Sequence, residues 1–285
     1  MVGAEGQLGA DVVREAAGLG HEAAPLTHAA ADLRDEAALR RVLGEARPEF
    51  VINTAAMNHV ERCEQEPELA LAVNAVGAGN LAQVASTMDV PLLHVSTDYV
   101  FDGEKGVPYV EEDLPAPLNA YGVSKLAGEY FVRARQPRAF VVRTSALYGA
   151  HPCRSKPQDN FVRAMLRLGR ERGRVTVVDD EIVTPTCTRE LAIQILRLTE
   201  TESYGTYHAT AQGSCSWFEF ARAIFEDAGM EVAVEPVSGS TRDSALRRPR
   251  NSVLDNAALR RIGLDLMPGW RESLRRYLQD AGSRG

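Results

Sequence analysis

The sequence predicts an α/β fold in which a doubly wound parallel sheet is followed by a smaller C-terminal lobe. Two observations predict it. From Gly6 to about Asn160 short apolar runs alternate with amphipathic helices, and a glycine-rich turn opens the first of these helices. Strands separated by helices of about 10 to 15 residues form right-handed βαβ units, which build a parallel sheet covered on both faces. After Asn160 the order of elements is more mixed, which indicates a second lobe.

The glycine-rich turn contains Gly3, Gly6 and Gly9 at intervals of three, and it leads into a helix predicted over Gln7–Leu19. A turn of this kind at a helix N-terminus presents backbone N–H groups to a diphosphate, as in the Rossmann-type fold that holds dinucleotides. Three glycines by themselves are equally compatible with an ordinary turn before a helix.

The strand that should feed this turn is short, because only Met1 and Val2 precede Gly3. A usual strand has about five or six residues, and the first strand of a Rossmann-type sheet lies in its middle. We therefore expect a first strand that is largely missing, with Met1–Val2 as its last rung. We also expect the natural chain to begin upstream, since a missing central strand leaves ladder groups unpaired.

The remaining elements follow from apolar periodicity and capping residues. Asp35 is predicted to cap a helix that runs to Leu43. The predicted strands are EAAPL, EFVIN, PLLHVS, AFVVRTS, VTVV and TYHAT, and the other predicted helices are Pro67–Met88, Asn119–Arg135, Phe161–Arg172, Arg189–Thr199, Phe218–Ala228 and Trp270–Leu278. We expect one domain over residues 1–148, to which the chain returns around 175–210, and a second lobe over 149–174 and 211–285.

Composition excludes several classes of function. The 285 residues are 45% hydrophobic and carry a net charge of −7 without a basic block, so a nucleic-acid partner is not expected. The four cysteines fit no zinc spacing and are expected to be reduced thiols. Neither an apolar run of membrane-spanning length nor a signal peptide is visible, so we expect no membrane and a cytoplasmic protein.

Polar residues at the end of one predicted strand and on the next helix form a candidate proton relay. Tyr121 and Lys125 are four residues apart on that helix and share one face. Thr97 directly follows the predicted strand PLLHVS. An ammonium beside a phenol lowers the pKa of the tyrosine, which can then exchange a proton with a substrate oxygen. A surface pair of tyrosine and lysine is the simpler alternative.

These motifs together resemble the extended short-chain dehydrogenase/reductase family, and within it the dTDP-4-dehydrorhamnose reductases. The resemblance covers nearly the whole chain, and its most specific part is STDYVFDG together with NAYGVSKLAGE. The other segments that carry it are GAEGQLG, NTAA, VNAVG, RTSALYG, GTYHATAQGSCSWFEFARAIF and RRPRNSVLD.

The resemblance implies a role for each matching residue. Thr97, Tyr121 and Lys125 match the catalytic threonine, tyrosine and lysine. The implied cofactor contacts are Gly3, Gly6, Gln7, Leu8, Asp32, Leu33, Ala55, Ala56 and Lys125, although plain packing is an equal alternative for the alanines and leucines. The implied substrate contacts are Asp98, Val100, Asn160 and Arg248, the last by a guanidinium that suits a diphosphate; a solvated basic loop is the alternative there.

The implied reaction is NADPH-dependent reduction of the 4-keto group of a dTDP-6-deoxy-4-ketohexose, dTDP-4-dehydrorhamnose to dTDP-L-rhamnose. NADH should be tolerated, and the second lobe should bind the nucleotide sugar. The predicted second strand ends LTH, without the acidic residue that takes a ribose 2′-hydroxyl and disfavours NADPH. A homodimer is one assembly to consider.

Departures from the family pattern leave alternatives open. Ala146 stands where the family usually has a tryptophan, which puts the identity of the sugar in doubt. Some relatives bind a magnesium ion through carboxylates near the C-terminus, but the segment YLQDAGSRG has only Asp280, so no metal is expected. Tyr99 stands where dehydratases carry a glutamate, which disfavours water elimination. The alternatives are a reductase or epimerase of another 4-keto sugar nucleotide, and a non-catalytic regulatory subunit of the same fold.

Overall fold

A parallel sheet forms the centre of the molecule. The computed structural model describes residues 1–152, 160–241 and 246–282. The strands of this sheet lie side by side in the order β1, β2, β3, β8, and every pair of neighbours is parallel. Shorter strands pair outside it. The strands are β1 (Val51–Asn53), β2 (Leu92–Thr97), β3 (Ala139–Thr144), β4 (Leu147–Tyr148), β5 (Arg174–Val178), β6 (Ile182–Val183), β7 (Thr186–Cys187), β8 (Gly205–His208), β9 (Cys215–Ser216) and β10 (Ala233–Val237).

Helices cover the sheet and build the C-terminal part of the chain. They are α1 (Gln7–Gly18), α2 (Glu36–Ala46), α3 (Val60–Gln65), α4 (Pro67–Leu71), α5 (Ala78–Thr87), α6 (Ala120–Arg135), α7 (Phe161–Arg172), α8 (Thr188–Thr199), α9 (Trp217–Asp227), α10 (Ala257–Arg261) and α11 (Trp270–Gly282). A π-helical segment, Ala72–Gly77, joins α4 to α5. Asp35 caps α2 as predicted, because its side chain accepts a hydrogen bond from the Ala38 N–H.

Val2 extends the sheet beyond β1 by a single rung. It bridges Leu26 on one side and Asn53 on the other, both in parallel. The Val2 N–H donates to the Ile52 carbonyl at 2.8 Å, and the Leu26 N–H donates to the Met1 carbonyl at 2.7 Å. The predicted last rung therefore lies between its two neighbours, as a first Rossmann-type strand should. The predicted strand EAAPL is likewise reduced to the one bridge at Leu26.

Each face of the sheet has its own apolar core, which confirms the doubly wound arrangement. One core packs α1 and α8 against the sheet, with Val12, Phe140 and Ile195 buried in it. The opposite core packs α2, α5 and α6, with Leu39 and Leu81 buried. The helical run Pro67–Thr87 is long and apolar enough to cross a membrane, judged by length and composition only. Because 56% of its apolar 18-residue stretch is buried inside the fold, this run is weak evidence for a membrane span.

A third core lies in the C-terminal part of the chain. It includes side chains of α7, α9 and α11, among them Met165, Phe220 and Leu274. Strand β5 pairs in parallel with β10 and contributes Val175 and Val177 to this core. The sequence predicts that the chain returns to the first domain around residues 175–210. Helix α8 and strand β8 do pack with the main sheet, but β5 packs in this third core. The division into two units remains a prediction.

Candidate active site

The glycine turn forms a close-packed cradle at the start of α1. Gly3 has φ of +80°, a conformation that favours glycine. A Cβ on Gly3 would lie 2.7 Å from the Ala55 nitrogen, and one on Gly9 would lie 2.1 Å from the Gly3 carbonyl oxygen. The N-cap of α1 is Gly6, which makes no side-chain capping hydrogen bond. The first backbone N–H groups of α1, including those of Gln7 and Leu8, are therefore suited to a phosphate.

Substitution of Gly9 should damage this cradle, whereas Gly18 in the same helix has space for a methyl group. In Gly9→Ala the new Cβ must displace the Gly3 carbonyl, an overpacking cost of about 1–3 kcal/mol. We expect the Kd for NADPH to rise about tenfold or more in fluorescence titration. Gly18→Ala is the matched control, because a Cβ there meets open space in the same helix and should leave the Kd unchanged. Equal affinities in the two variants would contradict the cradle.

Asp32 and Leu33, two of the implied cofactor contacts, differ in exposure. Asp32 forms a bidentate ion pair with Arg34, whose hydrogen bond lowers the pKa of the Asp32 carboxyl to about 2. Leu33 is buried, and its Cβ would lie 2.7 Å from a Cβ added to Gly77. Packing therefore explains the apolar side chain at Leu33, whereas the side chain of Asp32 is partly exposed and could contact a ligand.

Behind the cradle, the loop after β1 is held by two buried asparagines. The Ala55 N–H donates to the Asn53 side chain at 3.0 Å, and Ala56 follows, half-buried. Asn74 binds both backbone groups of Met57 and also donates to Ser124 Oγ at 2.9 Å. These contacts give Asn74, in the segment VNAVG, a structural role and tie the loop to α6.

At the carboxyl end of β2, Thr97 and Asp98 form a buried hydroxyl–carboxylate cluster. The Thr97 hydroxyl donates to Asp98 Oδ1 at 3.0 Å, and Ser145 donates to Asp98 Oδ2 at 2.8 Å. Burial raises the pKa of Asp98, while hydrogen bonds from Ser252, Ser145 and Thr97 oppose that shift. Asp98 is thus satisfied by protein hydroxyls, and it fixes the orientation of Thr97.

Tyr121 lies in the first turn of α6 and faces this cluster. The Thr97 side chain is one of the neighbours that affect the pKa of Tyr121, and the Tyr99 ring packs edge-on against Tyr121 with the ring centres 5.7 Å apart. Gly122 permits the close approach, since a Cβ there would lie 2.2 Å from the Tyr99 carbonyl oxygen. Burial raises the pKa of Tyr121 despite the opposing effect of the Thr97 side chain. This corrects the expected lowering of that pKa by Lys125.

The reason for the correction is the position of Lys125. Its ammonium nitrogen is buried and lies 2.7 Å from the Val95 carbonyl oxygen and 3.3 Å from His94 Nε2, both on β2. Burial lowers the pKa of Lys125 to about 8, and the carboxylate of Glu129 opposes that shift. The contacts of the lysine are therefore with the strand behind the site, and its charge is not among the causes of the Tyr121 shift.

Two of the predicted substrate-binding residues, Val100 and Asn160, make contacts within the protein itself. Val100 is fully buried in a small core with Phe101 and Tyr109. Asn160 caps α7 by accepting from the Arg163 N–H, and it donates to the Gly149 carbonyl at 2.9 Å. Their role toward a substrate stays a prediction.

The basic segment that contains Arg248 docks on the N-terminus of α6. Asn119, the N-cap of that helix, donates to the Arg247 carbonyl at 2.9 Å. The Arg248 guanidinium forms an ion pair with Glu61, and its side chain is 17% exposed, whereas Arg247 and Arg250 are exposed. The segment thus lies against the N-terminal end of α6, the helix that carries Tyr121. Arg154 and Lys156, which the sequence offers as weaker candidates for the same diphosphate contact, lie outside the described residues.

A buried ion pair behind the site was missed by the sequence patterns. Arg143 on β3 binds both carboxylate oxygens of Glu129 on α6, at 2.9 and 2.7 Å, and Ser96 donates to the same carboxylate. Both charged side chains are almost fully buried. This pair locks α6, which carries Tyr121 and Lys125, to the strands beneath it.

The cysteines within the described residues are buried. Cys63, Cys187 and Cys215 are free thiols, and burial is the largest cause of the raised pKa of each, while Cys153 lies outside the described range. Within residues 1–152, 160–241 and 246–282, no group of three or more His, Cys, Asp or Glu side chains could hold a metal ion. That no metal is needed stays a prediction.

Comparison with known proteins agrees with this geometry. The model of the RmlD substrate binding domain family matches residues 1–283. The chain belongs to that family. It is 38% identical over 277 residues to the dTDP-4-dehydrorhamnose reductase of Mycolicibacterium smegmatis, covering 96% of this chain and 83% of that protein. It is 37% identical over 276 residues to the dTDP-4-keto-6-deoxy-D-glucose reductase of Streptomyces niveus, covering 96% and 94%.

A solved relative supports the same family placement. The dTDP-4-dehydrorhamnose reductase of Bacillus anthracis, determined in complex with NADP, superposes with a TM-score of 0.93 at 41% identity, covering 98% of this chain and 97% of that one. The resemblance inferred from the sequence motifs is therefore confirmed, as is the Rossmann-type fold.

Proposed function

We propose that the chain is an NADPH-dependent reductase of dTDP-4-dehydrorhamnose, forming dTDP-L-rhamnose. The observation that carries the proposal is the placement of Tyr121 with Thr97 at the carboxyl end of β2, in a chain of this family that also has a glycine cradle at the start of α1. Open α/β sheets place their ligands at that edge. We expect the reaction in the cytoplasm, and a homodimer remains a hypothesis.

The residues present fit a dinucleotide. The cradle leaves no space for a Cβ on Gly3 or Gly9 and little for one on Gly6, and it offers the N-terminus of α1 to the diphosphate. Asp32 would lie at the adenosine end, and Lys125 would reach the nicotinamide ribose by leaving the Val95 carbonyl. When bound, NADPH supplies the hydride that reduces the C4 carbonyl.

Tyr121 then supplies the proton for the developing alkoxide. Its raised pKa keeps the phenol protonated near neutral pH, which is the form required of a donor in the reducing direction. The Thr97 hydroxyl donates to Asp98 in this structure, and it would turn its proton to the same substrate oxygen when the sugar binds. Close packing of Gly122 against Tyr99 fixes the distance between the helix and the strand end.

Arg248 is proposed to bind the substrate diphosphate. Its guanidinium is half-buried, already ion-paired, and anchored beside the N-cap of α6, so it can exchange Glu61 for phosphate oxygens. Arg248→Ala should raise KM for the sugar nucleotide about tenfold with little change in kcat, as expected on loss of a charged hydrogen bond. Arg40→Ala, which removes an exposed pair on α2, is the control. An unchanged KM in Arg248→Ala would contradict the assignment.

A second candidate is the reductase of another dTDP-4-keto-6-deoxyhexose. Ala146, at the place of a usual tryptophan, has φ of 46° and leaves that wall of the sugar site with a small side chain. The Streptomyces niveus relative is named for a different keto sugar. The two candidates therefore differ in which 4-keto sugar the site accepts.

The proposal is tested by cofactor oxidation. We expect NADPH oxidation that depends on dTDP-4-dehydrorhamnose, with kcat/KM higher for NADPH than for NADH. Oxidation with a different 4-keto sugar alone would favour the second candidate. No oxidation with any 4-keto sugar nucleotide would favour a regulatory subunit, and a strong preference for NADH would overturn the cofactor assignment.

A further inference from the structure

Behind the site, three buried polar side chains form a continuous row from β1 to α6. Asn53 Nδ2 lies 3.0 Å from His94 Nδ1, and His94 Nε2 lies 3.3 Å from Lys125 Nζ. Each of the three side chains is at most 2% exposed. The proposed mechanism uses Lys125 and gives no role to the other two.

The chemistry of the row fixes the proton on His94. The Ala55 N–H can only donate, so the Asn53 atom that it contacts at 3.0 Å is the carbonyl oxygen. The Asn53 atom that faces His94 is then the amide nitrogen, which is a donor. His94 Nδ1 must accept from it, so the neutral ring carries its proton on Nε2. Burial, and then the charge of Lys125, holds the pKa of His94 well below its usual range and keeps the ring neutral.

The proton on Nε2 faces the lysine nitrogen. A neutral amine can accept this hydrogen bond through its lone pair. An ammonium has only N–H donors, so it cannot form a hydrogen bond with the Nε2–H group. The ammonium form is held on this side by the Val95 carbonyl alone among the described residues, at 2.7 Å. A closer approach to His94 would therefore not stabilise the charge.

The charged and titratable groups around the pair come from each packed element. On α6 these are Glu129, one turn after Lys125, and Tyr121, one turn before it. Glu129 raises the pKa of Lys125, but its carboxylate is shared with Arg143 of β3 and Ser96 of β2. On β2 the group is His94 itself.

We propose that His94 is a positioning residue for Lys125: fixed as its Nε2–H tautomer by Asn53, it offers the lysine a donor instead of an acceptor, and so favours an ammonium that leaves the Val95 carbonyl for the cofactor. The proposal rests on the proposed function for the role of Lys125. The tautomer and the lysine titration are properties of the protein without cofactor, so they can fail separately from reductase activity.

Two variants reverse the polarity of the row in different ways. In Asn53→Asp the second carboxylate oxygen would accept from Nδ1–H, which moves the proton off Nε2 and turns that nitrogen into an acceptor for the ammonium. In His94→Gln the amide can turn its oxygen to the lysine without adding charge. Both should raise the pKa of Lys125 by about 1 unit or more and raise the Kd for NADPH about tenfold.

The test is ¹⁵N NMR of the histidine rings and of labelled lysine in the whole chain. We expect His94, assigned by its loss in His94→Gln, to show a bare Nδ1 and a protonated Nε2 in the native protein, and the opposite tautomer in Asn53→Asp. His208→Gln removes another buried histidine and should leave the Lys125 titration unchanged. A native Nδ1–H signal, or a Lys125 titration and NADPH Kd that His94→Gln leaves unchanged, would overturn the proposal. If the variants do not fold, the tautomer of His94 in the native protein decides whether the proposal holds.

Discussion

Tyr121→Phe is expected to lower kcat by about a hundredfold or more while NADPH binding and thermal stability stay near those of the native protein. The physical reason is that one hydroxyl is removed, and with it the proton donor, whereas the aromatic packing against Tyr99 is retained. Loss of a general acid costs about 10²–10⁴ in rate. Steady-state reduction of the keto sugar nucleotide measures the effect.

Tyr130→Phe is the matched control for this variant. Tyr130 lies on the same helix but is 57% exposed, and it should tolerate the loss of its hydroxyl. A Tyr121→Phe enzyme that turns over like Tyr130→Phe would mean that the proton comes from another group.

Arg143→Met is expected to destabilise the fold by about 3–5 kcal/mol, because it leaves the Glu129 carboxylate buried without its cation. The free energy of unfolding from urea denaturation measures this. Arg174→Met is the control: it breaks a pair with Glu235 in which both side chains are more than half exposed, and it should cost less than about 1 kcal/mol.

A double variant separates an unpaired charge from lost packing. Arg143→Met combined with Glu129→Gln removes both charges and should recover much of the stability lost in the single variant. If Arg143→Met costs no more than Arg174→Met, the buried ion pair does not hold α6 in place as described.

Sequence patterns predicted the sheet and its helices well because both depend on local periodicity. The apolar run PLLHVS became β2, and the capped segment from Asn119 to Arg135 became α6. The single rung at Val2 was also foreseen, from the two residues that precede Gly3. The pairing of β5 with β10 was missed, since nothing local in VTVV shows which distant strand it will meet.

The polar network of the site was much less predictable. His94 and Arg143 are polar residues inside apolar strand runs, and that irregularity was the available signal. The direction of the Tyr121 pKa was predicted wrongly because helical spacing placed Lys125 on the same face but could not show that its ammonium turns to the Val95 carbonyl. Which acceptor a long side chain chooses depends on tertiary contacts.

The central claim is hydride reduction of the sugar C4 carbonyl with a proton from Tyr121. The most direct test supplies NADPH deuterated at the transferred hydrogen, together with dTDP-4-dehydrorhamnose, and identifies the product by NMR. The account predicts dTDP-L-rhamnose with deuterium at C4, formed at least a hundredfold more slowly by Tyr121→Phe. A sugar product without deuterium at C4, or equal label transfer by Tyr121→Phe, would contradict it.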